Sequence, residues 1–263
     1  DLPDFMVFLD WKTYPWYWKF TDHIWYALML VVLVPGLLAF VFGFFAFRSR
    51  IKGVYFSIIT QAMTYAFMLL FFRNETGFGG NNGFTDFKRI MGYTITTPHM
   101  RLFLYILSFL VLLSFLLISR AIVKSKFGRV LTAIRDAESR VMFSGYNPIK
   151  YKLAIWTFSA MVCGIAGALY VPQVGIINPS EMSPSNSIEI AIWAAVGGRG
   201  TLIGPLIGAG LVNGLKSYFT EAFPEFWLYL LGLIFILSTL YLPKGVMGVV
   251  DQIKAKRAEK NGV

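Results

Sequence analysis

The chain has 263 residues, of which 56% are hydrophobic, 17% are aromatic and only 14% are charged. A soluble domain carries charge on about a quarter of its residues, so this composition excludes an ordinary soluble protein. A single cysteine, Cys163, excludes a disulfide framework within the chain, and with only two histidines there is little to bind a metal ion. These counts predict an all-α, polytopic helical membrane protein.

Apolar blocks about as long as one membrane crossing recur along the chain, because a helix needs about 20 residues to cross the hydrocarbon core. The sequence predicts six to seven transmembrane segments, at residues 24–47, 54–72, 102–119, 150–171, 187–198, 201–217 and 226–242. The fifth segment is too short to cross unaided. It predicts a broken or re-entrant segment near residues 187–200.

The basic residues are unevenly distributed between the two faces that this topology defines. Segments 48–53, 120–152 and 243–263, with Arg199, hold 17 of the 24 Lys and Arg residues but 4 of the 14 Asp and Glu residues. Lys and Arg enrichment marks the cytoplasmic face, so the C-terminus and the basic tail 251–263 are expected there. The net charge of +10 therefore reflects topology and contact with anionic lipids, and it does not predict nucleic-acid binding.

Before the first span lies an aromatic cluster, residues 11–18, which is typical of the headgroup level of a membrane, although a ligand-stacking platform is an alternative. The second span carries Gln61 inside an apolar block. Its amide can both donate and accept hydrogen bonds, so it either holds a neutral, amide-like solute or links two helices. After that span, residues 73–88 form a glycine-rich loop expected on the outer face.

The inner segment 120–149 differs in kind from the other loops. Val130, Ile134, Ala137 and Val141 recur at helical spacing, and Gly145 and Pro148 end the pattern. The segment predicts a short amphipathic helix with charges of both signs on its exposed faces, at Arg135, Asp136, Glu138 and Arg140. This mixture favours docking onto another protein over lying flat in the headgroups, where purely basic polar faces are usual.

The last third of the chain is rich in glycine. Gly200, Gly204 and Gly208 are four residues apart, which predicts a face on which two helices pack closely in lipid. Gly197 and Gly198 predict a break in the helix. Broken helices in transporters often border the substrate route, so the candidate path residues are Gln61, Glu189, Trp193, Gly197 and Gly198. Glu189 is either a pathway carboxylate or a hydrated charge near a helix start.

Catalytic motifs are not evident. Residues 210–217 approach a phosphate-binding loop, but the glycine spacing is short and Leu215 precedes the lysine. Nothing in the sequence indicates an ATPase, a dehydrogenase, a cofactor or a metal site.

Three stretches carry a family resemblance. Residues 50–60, 128–138 and 194–205 resemble, in that order, a span entry, the cytoplasmic coupling segment and the glycine-rich signature of permeases from branched-chain amino acid ABC importers. Residues 71–88 are similar to the urea-importing branch, in particular its second permease subunit. The resemblance covers residues 1 to about 250, as one permease domain. The family's members are longer at the N-terminus, so the resemblance implies further spans ahead of this sequence.

The resemblance implies a subunit of an ATP-driven, binding-protein-dependent importer in a bacterial inner membrane. Its implied partners are a homologous permease subunit, two ABC ATPase subunits that bind ATP, and a periplasmic or lipoprotein substrate-binding protein. Residues Arg135, Asp136, Glu138, Arg140 and Gly145 would contact the ATPases. Urea, a small neutral solute, is the favoured substrate, with branched-chain or other amino acids second. A stand-alone channel or secondary carrier is the alternative outside this class.

Overall fold

The computed structural model describes residues 12–13, 15–21, 23–49, 51, 53–85, 87, 89–90, 92–222, 226–241, 245–249 and 252–253. The chain divides between Ser183 and Pro184 into two compact units, the N-terminal unit and the C-terminal unit. Helices dominate the described part of both, which confirms the expected all-α, polytopic class.

The N-terminal unit contains α1 (Ile24–Arg48), α2 (Val54–Phe71), α3 (Pro98–Lys124), α4 (Lys126–Phe143) and α5 (Pro148–Val174). The C-terminal unit contains α6 (Pro184–Gly198), α7 (Gly204–Ala222) and α8 (Trp227–Tyr241). Among the described residues, α1, α2, α3 and α5 are long and apolar enough to cross a membrane. Helices α6 and α8 have 15 residues each, so they are about 22 Å long and shorter than the hydrocarbon core of about 30 Å.

Helices α1 and α5 pack along a stripe of small residues. The buried positions of α1 are Gly36, Ala39, Gly43 and Ala46. This stripe admits the large side chains of α5, because a Cβ at Gly43 would lie 2.8 Å from the indole ring of Trp156. The Trp156 indole N–H donates to the Ala39 carbonyl oxygen at 3.0 Å. Small residues and one interhelical hydrogen bond therefore hold this pair together, as lipid-embedded helices require.

A proline in α1 meets a glycine in α5. Pro35 has no N–H, so the Val31 carbonyl lacks its usual helical donor. A Cβ at Gly164 would collide with this carbonyl oxygen and lie 2.7 Å from Cγ of Pro35. Gly164 thus lets α5 approach α1 at the proline.

The glycine-rich loop after α2 is folded through short turns and strands. Strand β1 (Phe84–Thr85) pairs antiparallel with β4 (Ile176–Ile177), and β2 (Arg89–Ile90) pairs antiparallel with β3 (Tyr93–Thr94). The 3₁₀ turns lie at Trp16–Trp18, Asn74–Thr76, Gly80–Asn82 and Pro179–Met182. A Cβ at Gly83 would lie 2.6 Å from Cα of Asn178, so only glycine permits this close approach of the two segments.

The described end of the aromatic cluster before α1, at Tyr17 and Trp18, packs onto this loop. The Tyr17 hydroxyl donates to the Thr76 carbonyl at 2.7 Å, and the Trp18 indole N–H donates to the Gly77 carbonyl at 3.1 Å. The Tyr17 ring also stacks on Phe78, with centroids 5.6 Å apart. The cluster therefore holds the loop in place, a role that its interpretation as a headgroup belt did not include.

The C-terminal unit has its own apolar core. Ile192 and Val196 of α6, Val212 of α7 and Leu231 of α8 form a buried cluster, and Val212 is fully buried. Helices α6 and α7 form a close hairpin through the glycine-rich turn at residues 199–203.

Candidate functional site

Helix α4, the predicted coupling segment, follows α3 after a single residue. The Ser125 hydroxyl caps α4 by accepting a hydrogen bond from the Gly128 N–H at 3.3 Å. A Cβ at Gly128 would collide with the carbonyls of Ile122 and Val123. The glycine therefore allows the sharp change of direction from α3 into α4.

The structure divides α4 at Ala137, whose φ of −155° and ψ of 75° are not helical. The sequence predicted one continuous helix, whereas the described segment is two helical pieces meeting at this kink. Arg135 and Asp136 lie before the kink, and Glu138 and Arg140 lie after it. Four of the five predicted ATPase contacts are therefore carried on two separate pieces, and Gly145 follows the second piece.

The charges before the kink form an exposed pair. The Arg135 Nε–H donates to Asp136 Oδ1 at 2.9 Å, and both side chains are mostly exposed to solvent. This hydrogen bond and the negative charge of Asp136 raise the pKa of Arg135 above its ordinary value. The guanidinium is charged at any physiological pH in either case, so the pair offers fixed charges to a partner.

The charge directly after the kink faces α5. The Lys152 Nζ donates to Glu138 Oε1 at 2.6 Å, with side chains that are 29% and 23% exposed. Glu138 therefore links α4 to the start of α5 as well as belonging to the charged segment. Sequence reasoning missed Lys152 because the residue lies just inside the next apolar block.

The remaining surface of α4 combines a groove with an exposed aromatic residue. A cavity of about 450 Å³ is lined by residues from both sides of the kink, among them Arg129, Ala133 and Arg140. Phe143 at the end of α4 is 93% exposed. Gly145, with a φ of 83°, lies at the end of the segment. A Cβ added at Gly145 would have no heavy atom of the described residues within 4 Å. An exposed groove beside an exposed aromatic side chain suits a protein partner.

The C-terminal unit brings Glu189 together with a residue that the sequence did not single out. The Lys216 Nζ of α7 lies 2.7 Å and 3.0 Å from the two carboxylate oxygens of Glu189 on α6. The Glu189 side chain is 16% exposed and the Lys216 side chain is 41% exposed. The sequence signal was a lysine that follows a run of apolar and small residues in α7.

Two of the hairpin glycines, Gly197 and Gly200, lie elsewhere than the sequence suggested. Gly204 and Gly208 lie in α7 against α6, and Gly197 is also in this contact, since its Cβ would lie 2.8 Å from the Gly208 backbone nitrogen. Gly200 lies in the turn instead, with a φ of 83° and no described heavy atom within 4 Å of its Cβ position. The assignment of Gly200 to the packing face is therefore corrected, and Gly197 packs where a break was expected.

The break itself begins at Gly198, whose φ is 146°. The Thr201 hydroxyl donates to the Gly198 carbonyl and accepts from the Gly204 N–H, both at 3.0 Å. Thr201 thus satisfies one backbone group at the end of α6 and one at the start of α7.

Two further candidates carry buried polar atoms that make no hydrogen bond within the described part of the chain. They are Oε1 of Gln61, on α2 of the N-terminal unit, and Nε1 of Trp193, on α6 of the C-terminal unit. The described residues contain no group of three or more His, Cys, Asp or Glu side chains that could hold a metal ion.

Residues 5–239 match the family model described as "Branched-chain amino acid transport system / permease component". The chain belongs to this permease family. Relatives of this permease include the high-affinity branched-chain amino acid transport system permease protein LivM of Salmonella typhimurium. It is 24% identical over 90% of this chain and 61% of its own length. LivM of Escherichia coli is 23% identical over the same shares.

The permease is also 27% identical to the ribose import permease protein RbsC of Bacillus subtilis, over 63% of this chain and 51% of RbsC. The chain spans about three fifths of the length of the two LivM relatives. No solved structure matches it. These relatives are named as transport permeases. The branched-chain amino acids and the ribose in those names are the solutes of the relatives.

Proposed function

We propose that this permease is the membrane-spanning subunit of an ATP-driven importer that receives its solute from a binding protein. The observation that supports the proposal most strongly is α4, a charged and kinked segment with an exposed groove and an exposed Phe143. Such a surface suits an ATPase subunit, and a stand-alone channel or carrier has no need of it. The assembly would also contain a homologous permease subunit, a second ATPase and an external substrate-binding protein.

The contacts of α4 give a route by which the ATPases would move the spans. The Glu138–Lys152 ion pair joins the second piece of α4 to α5. Helix α5 in turn packs along α1 through Trp156 and the small-residue stripe. A displacement of α4 would therefore move α1 and α5 together as a rigid pair, in the manner of rigid-body switches between inward and outward access.

A branched-chain amino acid is the first candidate substrate, because LivM permeases are the relatives aligned over nine tenths of the chain. Urea is the second candidate, supported by the resemblance of residues 71–88 to the urea-importing branch. The proposed location is a bacterial inner membrane, with α4 and the C-terminus in the cytoplasm, as the Lys and Arg distribution predicts.

Reconstitution in liposomes tests the proposal. The complex of this chain with the homologous permease, the ATPases and the binding protein should take up radiolabelled leucine or urea only when ATP is supplied to the ATPase side. This chain alone should take up neither. Saturable uptake by the chain alone would instead establish a channel or secondary carrier.

A matched pair of variants tests the role of α4. Asp136→Arg reverses an exposed charge and should uncouple ATP hydrolysis from uptake. Glu75→Arg, an exposed charge reversal on the loop after α2, is the control and should leave coupling unchanged. Exposed charges contribute at most about 1 kcal/mol to stability, so neither variant should prevent assembly. Full coupling in Asp136→Arg would remove the docking role from this position.

A further inference from the structure

The Glu189–Lys216 ion pair is the polar feature of the C-terminal unit that packing does not explain. One ammonium group contacts both oxygens of one carboxylate, at 2.7 Å and 3.0 Å. Close packing of α6 against α7 is already provided by Gly197, Gly204 and Gly208. Charged residues inside membrane helices are costly and often mark substrate or ion pathways.

The pair lies toward the open end of the hairpin, away from the glycine-rich turn. Glu189 is five residues after the start of α6, about 7.5 Å along its axis, and Lys216 is six residues before the end of α7, about 9 Å. In the proposed orientation this end faces the side from which solute arrives. The Lys216 side chain is 41% exposed and has four flexible methylene groups, so the ammonium can move away from the carboxylate.

Opening the pair is more favourable when both charges find new partners. The Glu189 side chain is 16% exposed, so its carboxylate left alone would carry a desolvation cost, whereas the Lys216 side chain is 41% exposed and its ammonium would lose mainly its ion partner. A zwitterionic amino acid supplies both partners, since its ammonium can bind Glu189 and its carboxylate can bind Lys216. Urea supplies neither charge. The exchange therefore favours a zwitterion over a neutral solute.

A third side chain that could contact an amino acid, Trp193, lies one helical turn from Glu189. Trp193 is four residues further along α6, so it lies on the same face. Its indole Nε1–H is buried and donates to no acceptor among the residues that the structure describes, and its ring packs beside the apolar core of this unit. An aromatic ring with an available N–H offers contact to an apolar side chain and a donor to a carboxylate.

We infer that Glu189 and Lys216 are an exchangeable ion pair that binds the ammonium and carboxylate groups of a zwitterionic amino acid. This inference rests on the proposed function and specifies its substrate class. Glu189 and Lys216 bind the two charged groups, and Trp193 contributes to the apolar side of the site.

Direct binding to the membrane complex tests the inference without selection by the binding protein. The complex of permeases and ATPases is purified in detergent, and binding of radiolabelled L-leucine is measured at equilibrium. Unlabelled leucine should compete. 3-Methylbutylamine, 4-methylpentanoate and urea should compete at least about tenfold more weakly, because each lacks one or both charge-assisted contacts.

Variants that neutralise Glu189, Lys216 or both form a matched series for the same binding measurement. The double variant Glu189→Gln with Lys216→Met should bind leucine at least about tenfold more weakly. Lys216→Met alone should shift preference toward the amine, and Glu189→Gln alone should shift it toward the acid. Glu221→Gln, an exposed carboxylate further along α7, is the control and should bind leucine as the unmodified complex does.

Leucine binding that survives the double neutralisation overturns the inference, as does equal competition by leucine and 3-methylbutylamine in the unmodified complex. The second result needs no variant, so it decides the matter even if a variant fails to assemble. ATP-dependent uptake of urea but not leucine by the reconstituted importer would also overturn it while leaving the proposed permease role intact. Absence of any ATP-dependent uptake would instead count against the proposed function.

Discussion

Replacing Gly208 with alanine adds one methyl group at a close backbone contact between α6 and α7. The added Cβ would collide with the Trp193 carbonyl oxygen and lie 2.8 Å from the Gly197 nitrogen and 2.9 Å from the Trp193 carbonyl carbon. Ordinary contacts of this kind begin at 3.4 Å. All three neighbours are backbone atoms and cannot rotate away, so the helices must separate by at least about 0.5 Å, and overpacking of this kind costs about 1–3 kcal/mol.

Gly210→Ala is the matched control on the same helix. No heavy atom of the described residues lies within 4 Å of its Cβ position, so the change should be neutral or stabilise the helix by up to about 1 kcal/mol. The assay is thermal unfolding of the purified complex in detergent, followed by tryptophan fluorescence. Gly208→Ala should melt clearly below the unmodified complex and Gly210→Ala should not. Equal melting temperatures for the two variants would refute the packing argument.

Three further changes test other contacts. Thr201→Val removes both side-chain hydrogen bonds of Thr201 in the hairpin turn and should lower stability by about 1–2 kcal/mol, whereas Thr201→Ser should retain that stability, as melting temperatures would reveal. Phe143→Ser should leave melting unchanged while reducing ATP-coupled uptake, and a drop in melting temperature would place Phe143 in the fold instead. Glu138→Lys should destabilise the fold by about 1–2 kcal/mol because its partner Lys152 is half-buried. Adding Lys152→Glu should restore the melting temperature, and a failure to restore it would show that the ion pair does not stabilise the fold.

The long helices were predictable because their apolar blocks match the thickness of a membrane. Their ends were not. Helix α3 covers Pro98–Lys124, whereas hydropathy alone gave 102–119. Hydropathy falls at the flanking charges, Arg101 and Arg120, but helical hydrogen bonding continues through them. Proline at the first position of α3 and Ser125 after its end mark the real limits.

The sequence located the segments that form the candidate site, but it did not predict how their residues are arranged in space. Alanine is the best helix former, so nothing in the sequence predicted a kink at Ala137. The four-residue glycine spacing predicted that Gly204 and Gly208 share a face, and both lie near α6 backbone atoms. It could not reveal that α7 begins only at Gly204, which leaves Gly200 in the turn. Pairs such as Glu189 with Lys216 depend on the separation of two helices, which single-sequence spacing does not contain.

The contact between Trp156 and Ala39 joins residues 117 positions apart in the chain, and this has a consequence for biogenesis. Ribosomes add about 5–20 residues per second, so Trp156 is synthesised about 6–23 s after Ala39. During this interval the glycine and alanine stripe of α1 lacks its α5 partner. Helix α1 therefore acquires this neighbour late in synthesis, and the pair closes only after α2, α3 and α4 have been made.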